Sequence, residues 1–223
     1  MIGKQFVAVL LFLQAGMSHP TFLEVDDLTA HLETVALIGA ASLPLLGEAF
    51  RLRLLAEAES YTYTPEEEFV GSGDKLVRQQ MGSFESFQPG SAYLELRDAF
   101  QAWLEERLQS LPQSPFSTPL CFNSLSLQKY EQGSIGITPH RDGLRYINLI
   151  SLFIIGGQGR FFVCADRSGR EAVEIDAAPG KVILMRAPGF LGENLRPFHF
   201  VSEISHRRYS FGLRQLRLAP DAI

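Results

Sequence analysis

Two histidines and an aspartate in the second half of the chain have the types and spacing of metal ligands. His140 and Asp142 are two residues apart, so in an extended segment they project from one face while Arg141 points away. His199 lies in a later apolar run. Two imidazoles and one carboxylate on one face of Fe(II) leave positions open for a 2-oxo acid and dioxygen. A histidine hydrogen-bonded to a surface carboxylate is the alternative interpretation of the first pair.

The segment after His199 predicts a strand with arginines on one face. If 208–214 is extended, one face carries Arg208, Ser210, Gly212 and Arg214. The opposite face carries Tyr209, Phe211 and Leu213. This pattern indicates a polar cavity with room for an anion, and arginine suits a carboxylate because its planar fork makes paired bonds. An edge strand with a solvated arginine face is the alternative.

A third predicted strand, SLSLQKY, follows the same logic. Gln128 and Tyr130 lie on one of its faces and could face the same cavity, whereas Leu125, Leu127 and Lys129 alternate with them. An ordinary half-buried antiparallel strand explains this segment better when it is taken alone. Its interpretation therefore depends on its neighbours.

The combined pattern resembles the Fe(II)/2-oxoglutarate-dependent dioxygenase superfamily, and most of all its AlkB-like branch. The resemblance lies in YEQGSIGITPHRD, RPFHFV and RRYSFGLRQ and covers roughly residues 120–217. It implies iron held by His140, Asp142 and His199. It also implies that Tyr130, Arg208 and Arg214 bind 2-oxoglutarate, with Ser210 and Gln128 assisting, and that dioxygen is the other cosubstrate.

Two features depart from this pattern or compete with it. Gln128 stands where AlkB-like repair enzymes often have asparagine, and we find no clear counterpart of their nucleotide-recognition lid. His206 competes for the role of distal ligand, but it lies two residues before Arg208, where we expect a turn between strands. The resemblance therefore extends to iron and cosubstrate and not to the substrate.

The elements that must position these residues divide into a helical part and a β-rich part. We expect two helices within 26–60, broken near Pro44, and a third over 92–110. Residues 61–90 favour loops and short strands that could form a lid. From Thr118, about eight short β-rich runs predict a sandwich or barrel. With the resemblance, the expected fold class is α+β: a double-stranded β-helix (jelly roll) core with N-terminal helices packed against it.

Composition favours one globular catalytic domain. The chain has 223 residues, 46% of them hydrophobic, and a net charge of -5. We assign 17–223 to one dioxygenase domain, with a helical and lid region over 26–115 and a jelly-roll core over 118–218. Residues 1–16 include an apolar run too short to span a bilayer, and we interpret them as a non-native or cleaved extension before a start at Met17.

Cysteine content and charge bear on location and partners. Cys121 and Cys164 are far apart and lie among apolar neighbours, so we expect buried free thiols and a cytoplasmic protein. We expect a monomer with no membrane partner. Nucleic acid is the less favoured partner, because Glu66, Glu67 and Glu68 in the lid region would repel phosphates; a local basic patch at Lys75 and Arg78 is the alternative.

The prime substrate stays open at this stage. The leading function is hydroxylation or demethylation of a C–H bond in a small molecule or polypeptide. Arg78, Phe84 and Arg145 are candidate contacts, and plain surface or packing roles are the favoured alternative for each. The alternatives are demethylation of alkylated nucleic-acid bases, a cupin-like metalloprotein with another reaction, and a non-catalytic 2-oxoglutarate sensor, since the fold alone does not define function.

Overall fold

The structure, a computed structural model, describes residue 20, residues 22–24 and residues 28–217. The predicted extension over 1–16 and the start at Met17 lie outside the described residues. Within the described part of the chain, no helix is long and apolar enough to cross a membrane.

Three α-helices lie in the first half of the chain: α1 (Leu28–Ile38), α2 (Glu48–Ser60) and α3 (Ala92–Gln109). A 3₁₀ turn covers Gly73–Lys75. α3 begins where the hydroxyl of Ser91 accepts a hydrogen bond from the amide of Tyr93, which satisfies one of the open donors of its first turn. Its apolar face, with Phe100 fully buried, packs against the sheet. The third predicted helix is confirmed.

The break near Pro44 contains a strand that the sequence analysis did not predict. β1 (Ala40–Pro44) connects α1 to α2 and pairs with the later strand β10 (Lys181–Arg186). Ala40 and Leu43 are fully buried in it. Five residues between two helices carry too little alternation to reveal a strand, and the pairing partner is more than 130 residues away.

The remaining strands come before and after α3 in the sequence. Before it come β2 (Thr64–Pro65), β3 (Phe69–Val70), β4 (Val77–Arg78) and β5 (Gly82–Phe84). After it come β6 (Ser124–Tyr130), β7 (Ile137–His140), β8 (Tyr146–Cys164), β9 (Val173–Ile175) and β11 (Phe198–Leu216), with β10 between the last two.

Two pairs of predicted strands are merged into long ones. The runs RYINLISLFII and GRFFVCA form β8, and FHFVSEI and RYSFGLRQLRL form β11. Register shifts between Ser202 and His206, and between His206 and Tyr209, mark irregularities in β11. The expected turn at His206 is therefore wrong, because bulges absorb the irregular residues without ending the strand.

β11 is the strand that joins the two halves of the jelly roll. The sheet runs β1-β10-β8-β11-β6-β5-β2, with β7 also on β11 and β9 on β8, and its pairs are antiparallel. The first part of β11 pairs with β7 and the second part with β6, while β8 runs along both. The predicted jelly-roll core with N-terminal helices is confirmed.

The two faces of β11 belong to different cores. Tyr209, Phe211 and Leu213 pack with the helices, as the alternation predicts. The opposite face looks into the jelly roll, where the core contains Tyr130 and Phe161. Both faces are therefore buried, and the arginine face is not a solvated edge.

The prediction of buried thiols is wrong for one cysteine. Cys121 is exposed and Cys164 is partly buried. Leu120 and Phe122 on either side of Cys121 are buried, so this extended segment directs alternate residues inward and leaves Cys121 outside.

Gly136 lets β7 approach β11. It has φ +76°, and a Cβ there would lie 2.0 Å from the carbonyl oxygen of Val201. Gly133 has φ +78° and nothing within 4 Å of such a Cβ. Both alanine variants incur backbone strain of about 1–3 kcal/mol. We expect Gly136→Ala to lower the free energy of unfolding well beyond Gly133→Ala in urea denaturation. Equal losses would contradict this role.

Candidate active site

Three side chains with metal-binding atoms meet where β7 ends against β11. His140 is the last residue of β7, Asp142 follows shortly after, and His199 is near the start of β11. Strand pairing sets His140 opposite His199. The Nε2 atoms of the two histidines lie 3.8 and 3.9 Å from Oδ1 of Asp142. One ligand atom from each residue lies within 4.8 Å of the others, so all three can contact one ion.

Backbone carbonyls orient both imidazole rings. Nδ1 of His140 lies 2.9 Å from the carbonyl oxygen of Thr138, and Nδ1 of His199 lies 3.4 Å from that of Pro197. A carbonyl oxygen only accepts, so each Nδ1 donates and each Nε2 keeps its lone pair. Phe161 stacks on His199 with ring centroids 5.7 Å apart. Both Nε2 atoms are therefore available to a metal beside the carboxylate.

Burial keeps the histidines neutral, and Arg214 keeps the aspartate ionised. Burial lowers the pKa of His140, and burial followed by the effect of His140 lowers the pKa of His199 to about 3. Burial raises the pKa of Asp142, but Arg214 and the two imidazoles outweigh it and lower that pKa to about 2. Nε of Arg214 lies 3.4 Å from Oδ2 of Asp142, whereas Oδ1 faces the histidines. This donor set suits Fe(II).

Behind the metal-binding residues, β11 carries an arginine that is buried without an acidic partner. Arg208 is 1% exposed, and its guanidinium lies 5.5 Å from the ring centroid of Tyr130 on β6. Its Nη1 donates to the hydroxyl of Ser210 at 3.2 Å. Its Nε has no hydrogen-bond partner, and no carboxylate among the described residues pairs with it. Burial lowers the pKa of Arg208, yet arginine stays protonated in proteins. A buried unpaired charge is unfavourable, so an anion would be strongly stabilised here.

Gln128 and Tyr130 connect this arginine to the cavity. Oε1 of Gln128 accepts from the hydroxyls of Ser210 and Tyr130, each at 3.4 Å. Burial raises the pKa of Tyr130 to about 12, so its phenol is protonated at neutral pH. Gln128 and Tyr130 line the cavity. Arg208 and Ser210 lie behind them, with Arg208 over the ring of Tyr130 and Ser210 hydrogen-bonded to Gln128.

A cavity of about 470 Å³ opens over His140, Asp142 and His199, the three candidate metal ligands. One wall is the polar face of β6 and β11, with Ser124, Ser126, Gln128, Tyr130 and Arg214. Another belongs to the predicted lid region and contains Glu66, Val70, Gly71, Lys75, Val77, Gln79, Met81 and Glu85. Leu152, Phe161 and Val201 add an apolar surface. A volume of this order is typical of a small-molecule site.

Gly212 leaves room for the side chain of Arg214. A Cβ at Gly212 would lie 2.6 Å from Nη1 of Arg214. The guanidinium thus folds back over the glycine towards Asp142. The sequence analysis interpreted Gly212 as leaving room for an anion. In the structure this room is taken by the guanidinium of Arg214.

The predicted substrate contacts fall in different places. Arg145 lines the cavity and lies over the ring of Tyr146, 5.0 Å from its centroid. Arg78 pairs with a glutamate and Phe84 stacks on a tyrosine, and neither lines the cavity. His206 is exposed and lies outside the cluster of metal-binding atoms.

Three cations line the cavity, Lys75, Arg141 and Arg167, and of these the sequence analysis had named only Lys75 as part of a basic patch. Arg141 was expected to point away from the metal-binding side chains, and its guanidinium does stack on Phe198, at 4.0 Å, yet the residue lines the same cavity. Arg167 lies on the loop after β8, where no periodicity marks it. Its position over the same ring, 5.6 Å from the centroid, depends on tertiary packing.

Comparison of the sequence with family models and with curated protein sequences finds no match. Solved structures do match. A prolyl hydroxylase from Trichoplax adhaerens, in complex with a hypoxia-inducible-factor peptide, has a TM-score of 0.62 at 12% identity, covering 83% of this chain and 87% of that one. A 2OG-Fe(II) oxygenase family oxidoreductase from Burkholderia pseudomallei has a TM-score of 0.57 at 13% identity, covering 88% and 94%.

The chain has the fold of the 2OG-Fe(II) oxygenases. OsALKBH1 also matches this oxygenase fold, with a TM-score of 0.54 at 15% identity over 79% of this chain and 98% of that one. The predicted jelly-roll fold is thus confirmed, and the AlkB-like expectation is supported for the fold alone. Identities this low do not transfer a reaction or a substrate.

The metal-binding geometry leads to a test with the metal alone. We expect Co(II) to bind the apoprotein, measured by calorimetry, and His140→Ala, Asp142→Ala and His199→Ala each to weaken binding by at least about a hundredfold. Losing even a residue that orients a ligand weakens such sites roughly 10- to 100-fold.

His206→Ala provides the matched control for these variants. It removes an exposed imidazole from the same strand, and we expect unchanged affinity for Co(II). Loss of binding in His206→Ala with retention in His199→Ala would reverse the assignment of the distal ligand.

Proposed function

We propose that the protein is an Fe(II)/2-oxoglutarate-dependent dioxygenase that oxidises a C–H bond of a small molecule or polypeptide. His140, Asp142 and His199 hold the metal, and Arg208 with Ser210, Tyr130, Gln128 and Arg214 serves the cosubstrate. The observation that carries the proposal is the pairing, in one jelly roll, of this donor set with a buried arginine that has no acidic partner.

The residues present fit both groups. The donor set leaves coordination positions open, as required for a chelating 2-oxo acid and dioxygen. A dicarboxylate also needs a cation for its far end, and Arg208 with its free Nε and Ser210 supplies one. When bound, Fe(II) and the two cosubstrates supply the oxidising power, with 2-oxoglutarate converted to succinate and CO₂ as one oxygen atom passes to the substrate.

The protein's own residues orient and isolate these groups. Arg214 holds Asp142 ionised and aims Oδ1 at the two histidines. Phe161 and Val201 give an apolar surface beside the polar wall, which limits water near the metal. The backbone carbonyls on both Nδ1 atoms keep the imidazoles turned to the metal.

The extent of the domain supports one catalytic unit. β1 of the helical part joins the sheet through β10, and β5 of the segment before α3 joins it through β6. Strands from the helical part and from the segment before α3 thus belong to the same sheet as the jelly roll. We therefore treat 28–217 as a single oxygenase domain within the proposed 17–223.

Oxygen uptake and succinate formation test the function directly. With Fe(II), ascorbate and 2-oxoglutarate, we expect slow succinate formation that depends on oxygen, because ascorbate can supply the electrons that a prime substrate would otherwise give. Binding of 2-oxoglutarate with no succinate, even with a broad set of candidate substrates, would favour a sensor over an enzyme.

Arg208→Lys tests the cosubstrate site. The ammonium keeps the charge but cannot reproduce the planar fork, so we expect the Kd for 2-oxoglutarate to rise by about tenfold or more. Arg207→Lys is the matched control, because Arg207 is exposed and pairs with Glu131. Calorimetry on the Co(II)-loaded protein measures both. An unchanged Kd in Arg208→Lys would remove Arg208 from the site.

Duplex nucleic acid is not the proposed substrate. The net charge is -5, Glu66 lines the cavity, and Glu68 neutralises Arg78 beside it. A phosphate backbone would meet these carboxylates. We expect no micromolar binding of single- or double-stranded oligonucleotides in fluorescence anisotropy near physiological salt. Tight binding with demethylation of an alkylated base would overturn this.

A further inference from the structure

Three cations gather on one side of the cavity mouth, close to the metal-binding residues. Lys75, Arg141 and Arg167 line the cavity. The guanidiniums of Arg141 and Arg167 lie over the same ring, that of Phe198, with 4.0 and 5.6 Å to its centroid. Nη1 of Arg167 also donates to the carbonyl oxygen of Lys75 at 3.4 Å. We call these three residues the cationic rim.

The rim differs from most of the basic residues elsewhere on the protein. Arginines on the outer surface pair with carboxylates, as Arg160 does with Glu174 and Arg207 with Glu131. Among the described residues, none of the three rim cations has a carboxylate within 4 Å. Like charges that line one cavity without a counter-charge repel, and a bound anion would relieve that repulsion.

Neighbouring charges add to this positive field. Arg196 donates through Nη1 to the backbone carbonyl oxygen of Asp142, and its pKa is lowered by burial and then by the charge of Arg141. Arg145 lines the cavity as a further cation and has no described carboxylate partner. Glu66 and Glu85 line the cavity too, but neither lies within 4 Å of a rim cation: Glu66 accepts a hydrogen bond from Ser83, and Glu85 also borders a separate depression beside Phe87.

We propose that the cationic rim binds an anionic group of the prime substrate, a small molecule carrying a carboxylate or a phosphate. This proposal rests on the proposed function and names the substrate class. Arg141 lies between the metal-binding His140 and Asp142, and Phe198 precedes His199. An anion held by the rim is therefore fixed beside the metal, and the distance from that anion selects which C–H bond is presented.

A small molecule fits better than a polymer. The cavity of about 470 Å³ must also take the cosubstrate, so the remaining space suits a compact molecule. The cations form one group and do not extend in a line across the surface. The exposed Glu67 and Glu68 follow Glu66 in the chain and add negative charge on this side. A phosphate backbone needs a continuous basic path.

The first test uses inorganic phosphate as the probe, on the Co(II)-loaded protein with saturating 2-oxoglutarate to fill the site at Arg208. We expect millimolar phosphate to raise the melting temperature of the protein above that in sodium chloride of equal ionic strength, because a ligand of the folded state stabilises it. We expect Arg167→Gln to lose this rise. No rise in the unaltered protein overturns the proposal.

Arg170→Gln is the matched control, on the same loop as Arg167. It removes the same charge, but Arg170 is exposed and pairs with Asp166. We expect it to keep the phosphate response. Lys75→Gln, at an exposed position, is a second rim variant that serves if Arg167→Gln does not fold, and we expect a reduced response. A full response in the rim variants, or equal loss in Arg170→Gln, counts against the rim.

The second test compares matched compounds in substrate-stimulated succinate formation: carboxylic acids with their amides, and sugar phosphates with the free sugars. We expect only the charged members to stimulate, and Arg167→Gln to raise their KM by about tenfold or more while Arg170→Gln does not. The two series separate carboxylate from phosphate. Equal stimulation by neutral members overturns the proposal, as does stimulation by oligonucleotides alone.

The failures of the two proposals are distinguishable. Succinate formed without any added substrate reports the oxygenase function, and the phosphate-dependent melting temperature reports the rim. A phosphate response without any succinate formation leaves the rim as an anion site and removes the oxygenase function. Succinate formation without a phosphate response supports the oxygenase function and removes the rim as an anion site.

Discussion

The backbone pairing of β11 is the interaction on which the rest of the site depends. Its first part pairs with β7, which sets His199 opposite His140. Its second part pairs with β6, which sets Arg208 opposite Tyr130. One strand therefore carries both the metal-binding end and the buried cation, and their separation is determined by the ladder with β8 that runs along both parts. Sites built on paired strands are held more rigidly than sites on loops.

The cations around the cavity differ in how deeply they are buried and in whether a carboxylate pairs with them. At the deepest point Arg208 has no carboxylate among the described residues, whereas Arg214 is paired with Asp142. Removing a charge from water costs most when it has no partner, so Asp142 already offsets the charge of Arg214, whereas the unpaired Arg208 favours a bound anion. The cationic rim repeats the unpaired arrangement nearer to solvent, where screening weakens each interaction. A negatively charged ligand is thus favoured at both depths.

The fold explains why both faces of one strand can be buried with such different residues. Tyr209, Phe211 and Leu213 pack against the helices. The opposite face looks into the jelly roll, where a ligand site takes the place of part of the apolar core. Burying arginine, serine and glycine there lowers stability, and the large aromatic core between α3 and the sheet, with Phe100 against Phe153 and Trp103, offsets it.

Local pattern alone determined much of this protein. Period-two alternation predicted the faces of β6 and β11, because side-chain direction in a strand depends only on parity. The spacing of His140 and Asp142 also predicted their convergence, but β7 ends at His140 and Asp142 lies in the segment after it. Tertiary structure decided the rest. Whether two β-runs merge into one strand, as in β8 and β11, depends on bulges that have no local signal, and β1 forms only because β10 lies beside it. The gathering of Lys75, Arg141 and Arg167 over the cavity joins residues far apart in the chain, which no sequence period encodes.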